Sequence, residues 1–141
     1  MMDSRDRKIL AALREDSSRT VREMSRKTGV RPSTVHKRIS RMKEDGVIER
    51  FTVKLNDEMA GEGFTAFMFV KTRPSTEIGP GVTDNPHVKE VFGITGEHDI
   101  LMKMKFRDVS EFNDFVIEFR KKQKIESTLT MVATAKIKEE V

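Results

Sequence analysis

At 141 residues, with 35% of them charged, a net charge of +4 and no cysteine, the chain suits one domain or two small ones and excludes disulfides and thiolate metal sites. No run of about 18 apolar residues is present to span a membrane, and the charged start MMDSRDRKIL lacks a signal-peptide core, so a cytoplasmic protein with no membrane partner is expected. His36, His87 and His98 are too scattered in sequence to suggest a metal site, and no motif asks for a cofactor.

The first expected element is a helix from Asp3 to Glu15. Ile9, Leu10 and Leu13 make its apolar stripe, and Asp3 and Asp6 suit its positive N-terminal end. A second helix starts at TVRE, where Thr20 and Glu23 have capping-box spacing. Val21, Met24 and Thr28 face inward, and Gly29 stops the helix by taking a left-handed conformation. The third begins at Pro32, which suits a first helical turn and leaves Arg31 as the N-cap. It ends at Gly46. Val35, Ile39 and Met42 recur at helical spacing as its inward stripe. The opposite side carries Ser33, Lys37, Ser40 and Arg41, flanked by Thr34 and His36, with no acid until Glu44.

Residues 1–50 hold 14 Lys/Arg and 8 Asp/Glu, a net of +6, against 13 and 15, a net of −2, in the remainder. A basic head of this kind suits a polyanion. Two helices joined by a glycine turn read as a helix-turn-helix, whose second helix would enter the major groove of double-stranded DNA. Ser33, Thr34, His36 and Lys37 then lie near the end that meets base edges. Ser40 lies further along the same face, and Arg41 is expected to reach a phosphate. Arg31 offers no capping oxygen, which costs about 1 kcal/mol; a phosphate contact would explain its retention. The competing reading is a solvated helix in a small bundle.

After Gly46, VIERFTVKL alternates and reads as a strand, and NDEMAGEG (56–63) reads as a linker. The expected division is a head over 1–50, a strand and hinge over 51–63, and a second domain over 64–141. In that domain FTAFMFVKT (64–72) is apolar at nearly consecutive positions, as in a strand covered on both faces. Gly79-Pro80-Gly81 leaves room for only a short helix. VKEVFGITG (88–96) and DILMKMKF (99–106) form a hairpin pair. DVSEFNDFVIEFRKK (108–122) is an amphipathic helix whose face is Val109, Phe112, Phe115, Val116 and Phe119, with Asp108 and Glu111 at capping spacing. IESTLTMVATAKIK (125–138) is a last long strand, and KIKEEV a frayed tail.

The fold class is therefore α+β: an N-terminal three-helix, winged helix-turn-helix domain and a C-terminal ferredoxin-like βαββαβ domain. Phe67, Phe69, Leu101 and Val132 would leave the second sheet face too apolar for water. A second copy is the simplest cover, giving a homodimer that carries two recognition helices.

The stretches DSRDRKIL, REMSRKTGVRPSTVHKRISRMKEDGVIERF, VKEVFGITGEHDILMKMKF and IESTLTMV make the chain resemble the Lrp/AsnC (feast/famine) transcription regulators over nearly its whole length. The resemblance implies a dimerisation and amino-acid-sensing second domain, with the ligand at a contact between dimers. The loop TGEHD carries the matching Gly96 and Asp99, with Thr95, Glu97 and His98 as neighbours; Thr128 and Thr130 match positions near the ligand. Backbone N–H groups of the loop could hold an α-carboxylate and Asp99 an α-ammonium. A plain hairpin turn is the alternative. Arg31 departs from the capping serine common in the family, and the short Gly-Pro-Gly helix leaves assembly beyond the dimer open. Two rivals remain: a sirohaem decarboxylase of the same architecture, which would recruit His87 or His98, and a weakly specific architectural DNA binder.

Overall fold

Helix α1 (Ser4–Glu15) starts at a reciprocal capping box in a computed structural model that describes residues 1–141. The Asp3 carboxylate accepts from the Asp6 N–H at 2.9 Å, and the Asp6 carboxylate from the Asp3 N–H at 3.0 Å. Helix α2 (Val21–Thr28) is capped by the Thr20 hydroxyl, which accepts from the Glu23 N–H; the return bond from the Glu23 side chain is not made. Gly29 ends it at φ +72°, where a side chain would be strained. Helix α3 (Pro32–Glu44) comes next, with Arg31 at its N-cap making no side-chain cap bond. Beyond Gly46 the chain turns back, and the Ile48 N–H donates to the Met42 carbonyl at 3.0 Å. Ile9, Ala12, Met24, Val30, Val35 and Met42 form the buried core of this unit, Met1–Val53.

The strand expected in VIERFTVKL is not formed; no strand precedes Phe64. A strand needs a neighbour for its backbone groups, and the chain places none beside residues 47–55. The alternating side chains Phe51, Val53 and Leu55 are about half or more exposed.

The second unit, Lys54–Val141, is a four-stranded antiparallel sheet in the order β2-β3-β1-β4, with β1 Phe64–Thr72, β2 Val88–Gly93, β3 Ile100–Phe106 and β4 Ile125–Val132. Helices α4 (Pro80–Thr83) and α5 (Val109–Lys122) complete the βαββαβ order. Ala66, Met68 and Val70 alternate inward on β1 and meet Met102, Met104, Phe106 and Phe119 in the core. Phe106 lies within 5.4 to 5.5 Å of Phe112 and Phe115, centroid to centroid. Val109, expected on the buried face of α5, is 63% exposed: it opens the helix just after the Asp108 cap, before the aromatic residues engage the sheet.

The register sorts the other face into rows. Phe92, Leu101, Phe69 and Leu129 align across all four strands, and Lys103, Phe67 and Met131 make the next row. Val132, expected here, pairs with Ala66 and so shares the helix-covered side. The error is one of parity, since neighbouring residues on a strand face opposite ways. Strand β1 is thus covered on one face by its own helices and open on the other within this chain.

β4 also ends earlier than expected, at Val132. The C-terminal segment beyond it is no frayed tail: the Glu139 carboxylate, 12% exposed, accepts from Lys54, Lys103 and Lys105. Asp57 accepts from Lys105 at 2.9 Å and Lys136 at 2.8 Å. The linker and the C-terminal segment therefore meet over the polar end of the open face. Burial opposes charge on Glu139, yet the three lysines hold its carboxyl far below the usual range. Lys105 is only 8% exposed along its side chain; burial pulls its pKa down, and Glu139 and Asp57 more than reverse that.

Candidate nucleic-acid interface

Helix α3 owes its position to Val35 and Met42, both buried in the head core, with Ile39 partly buried between them. That anchoring turns the remaining sides outward. Arg31, Ser33, His36, Lys37 and Arg41 are exposed, and Thr34 and Ser40 are half-buried. Thr34, Lys37, Arg38 and Arg41 line a shallow recess of about 400 Å³.

The recess has an acid beneath it. Asp6, fully buried, accepts from Arg38 Nη1 at 2.9 Å and from Arg41 Nη2 at 3.0 and 2.9 Å. Arg38 Nη1 also donates to Asp3 at 2.7 Å. Arg41, expected as a free phosphate contact, is thus bonded within the protein, though its side chain stays 49% exposed. The Asp3 N–H, with Arg38 and Arg41, holds the Asp6 carboxyl below the usual range against its burial. The Asp6 N–H and Arg38 lower Asp3 to about 2.

Sequence reading missed Arg38 and gave Asp6 only its helix-end role. A signal was present: Asp3 and Asp6 are three apart, as are Arg38 and Arg41, so each pair stacks on one face of its helix. Pairing two helices more than 30 residues apart nevertheless requires the fold.

In the second unit the TGEHD loop joins β2 to β3, and Gly96 adopts φ +118°. The Asp99 carboxylate is committed to the end of β1: it accepts from the Thr72 N–H at 2.8 Å and from the Thr72 hydroxyl. Those bonds lower its pKa. Asp99 is therefore an anchor of the loop, a role that the expected ammonium contact did not include, and Thr72 is a partner the sequence did not reveal. The His98 ring lies 5.8 Å from that of Phe69, while Thr95, Gly96 and Glu97 are exposed. Thr128 and Thr130 are half-buried on β4 opposite Val70 and Met68, on the helix-covered side of the sheet. His87 stacks on Phe106 at 4.7 Å, and its Nδ1 lies 3.0 Å from the Lys105 carbonyl oxygen.

A helix-turn-helix head with a cationic third helix, joined to a ferredoxin-like sheet, is the arrangement of a DNA-binding transcriptional regulator. Family comparison agrees at both ends: winged helix-turn-helix DNA-binding domains match residues 2–49, and the Lrp/AsnC ligand-binding domain matches residues 65–141. The chain belongs to the Lrp/AsnC family. It is 33% identical over 134 residues to the HTH-type transcriptional regulator FL11 of Pyrococcus furiosus, spanning 94% of this chain and 89% of that one. The AsnC family transcriptional regulator from Agrobacterium tumefaciens has a similar fold, with TM-score 0.91 and 30% identity over 99% of this chain and 94% of the other. A transcriptional regulator from Neisseria meningitidis, solved as an L-Met complex, matches with TM-score 0.91 and 26% identity over the same shares.

Proposed function

We propose that the protein is a sequence-specific, homodimeric regulator that reads double-stranded DNA with paired α3 helices and whose occupancy responds to an amino acid. The observation that carries this reading is the outer face of α3, which carries no acid before Glu44 in its last turn. Ser33, Thr34, His36, Lys37 and Ser40 offer donors and acceptors to base edges, while Arg31 and Arg41 offer cations to phosphates. The row Phe92, Leu101, Phe69 and Leu129 supports dimerisation, because an apolar row across a whole sheet face favours cover by its own copy. Two such helices should address half-sites about 34–36 Å apart, or a multiple of that.

Support for an effector comes from the family's ligand-binding domain and from the L-Met complex of the Neisseria relative. In this chain the effector surface is the Thr95–Asp99 loop with Thr128 and Thr130. Asp99 shapes the loop through Thr72, and Gly96 supplies its turn. Binding-site selection with the full chain, with and without an amino-acid mixture, tests the whole reading. A palindromic site whose occupancy shifts with one amino acid is expected. Equal binding to genomic and random DNA at fixed salt would instead favour an architectural binder, and a ligated-iron band with product on adding sirohaem would favour the enzyme.

A further inference from the structure

We propose that Asp6 is a positioning residue for DNA recognition: it fixes Arg38 and Arg41 as an oriented pair around a recess that takes one backbone phosphate. The inference rests on α3 being the DNA-contacting helix. Asp6 itself is out of reach of any ligand, with no exposed surface. Its two oxygens accept four hydrogen bonds, one from the Asp3 N–H, one from Arg38 and two from Arg41. That fills the roughly four lone-pair sites of a carboxylate. Capping α1 accounts for only the first of these bonds.

Each arginine gives up a single terminal nitrogen to the acids, Nη1 of Arg38 and Nη2 of Arg41. A guanidinium has five N–H donors in a rigid fork. The Nη2 and Nε groups of Arg38 and the Nη1 and Nε groups of Arg41 thus remain for a phosphate, beside Thr34 and Lys37. A surface built for attraction alone would omit Asp3 and Asp6, since both acids subtract from the local positive charge. What they add is direction. Phosphate contacts set the register of a protein on the duplex, and register decides whether the base-reading side chains meet their partners. Losing the anchor should therefore harm discrimination more than attraction.

The test is equilibrium binding of the full chain to two duplexes of equal length at one salt concentration: the site obtained by selection and a random sequence. Asp6→Asn removes the charge that holds both arginines. Its affinity for the random duplex should stay within about threefold of wild type, while the selected-to-random ratio falls by about tenfold, the scale of one misread base pair. A purely structural role predicts otherwise. Lost folded protein lowers both affinities by the same factor, so an unchanged ratio overturns the proposal. Arg38→Lys is the second variant: it keeps the charge and can still meet Asp3 and Asp6 through its one nitrogen, but it loses the Nη2 and Nε donors left for the phosphate. Its ratio should fall by about threefold, and it carries the test alone if Asp6→Asn does not fold; there too an unchanged ratio overturns the proposal. A specific wild type with unaltered variants defeats this inference only. A wild type that binds neither duplex defeats the DNA reading beneath it, and one that binds both equally defeats its sequence specificity; either result defeats the inference as well.

Discussion

The head and the sheet unit both bury carboxylates against cations, with opposite results. In the head, Asp6 is saturated by the Asp3 N–H and two arginines, of which Arg38 is 17% and Arg41 49% exposed, so the network presents charge through Arg41. In the sheet unit, Glu139 and Asp57 gather Lys54, Lys103, Lys105 and Lys136, and Lys105 and Lys103 are left 8% and 17% exposed. That network hides its two inner lysines, leaves Lys54 and Lys136 38% and 45% exposed at its rim, and ties the linker and the C-terminal segment to β3. The lesson lies in the cations. A guanidinium can pair inward and still face a ligand, as Arg41 does, whereas an ammonium is a single point, and one set between two carboxylates, as Lys105 is, leaves little of itself to a ligand.

Substitutions can break this contrast. The largest expected effect is Lys105→Ala, which leaves two buried carboxylates short of a partner. It should cost about 2–3 kcal/mol in urea unfolding, below the range for a fully buried pair because three lysines remain. Arg41→Ala, which leaves Asp6 with Arg38 and the Asp3 N–H, should cost about 1–2 kcal/mol yet weaken duplex binding, which Lys105→Ala should leave intact. Equal stability costs would erase the distinction. Next, Glu139→Gln should destabilise by about 1–2 kcal/mol and speed protease cleavage within residues 133–141; unchanged cleavage would show that the segment is not held by this carboxylate.

The pH profile sharpens the same point. Glu139 and Asp57 have depressed folded pKa values, so their contribution is complete above the unfolded carboxylate range and lost as pH falls through the folded values. Lys105 is raised, so its share is complete below its unfolded pKa and lost as pH climbs past the folded one. Melting temperature should hold between about pH 5 and 10 as far as these groups decide it. The acid-side fall should be shallower in Glu139→Gln. The smallest effect is Arg31→Ser. A capping oxygen at the start of α3 should stabilise the head by about 0.5–1 kcal/mol and flatten the log–log salt slope of DNA binding by about 0.9 if Arg31 meets a phosphate.

Local signals in the sequence carried most of the fold. Thr20, Gly29 and Pro32 mark helix ends as their chemistry predicts, and the order of elements along the chain follows from hydrophobic pattern and turn residues. Val132 and Val109 were misplaced by strand parity and by position at a helix start; the other failures concern partners distant in sequence. VIERFTVKL has strand periodicity, but a strand also needs a neighbour. KIKEEV looked like a charged tail because its partners, Lys54, Lys103 and Lys105, lie far upstream. Asp99 and Thr72 are joined across 27 residues. On the candidate interface, exposure of Lys37 and His36 was legible from helical spacing, while the bonding of Arg41 to Asp6 was not, since capping alone gave Asp6 a sufficient reason to be acidic.

The central claim is that the outer face of α3 holds the duplex. Its most direct test is the salt dependence of duplex affinity for the wild type and for Lys37→Ala/Arg41→Ala, with folding checked by circular dichroism. The account predicts a folded double variant whose affinity drops by about tenfold or more and whose salt slope is shallower by about 0.9 or more. A folded double variant with wild-type affinity and slope would contradict it.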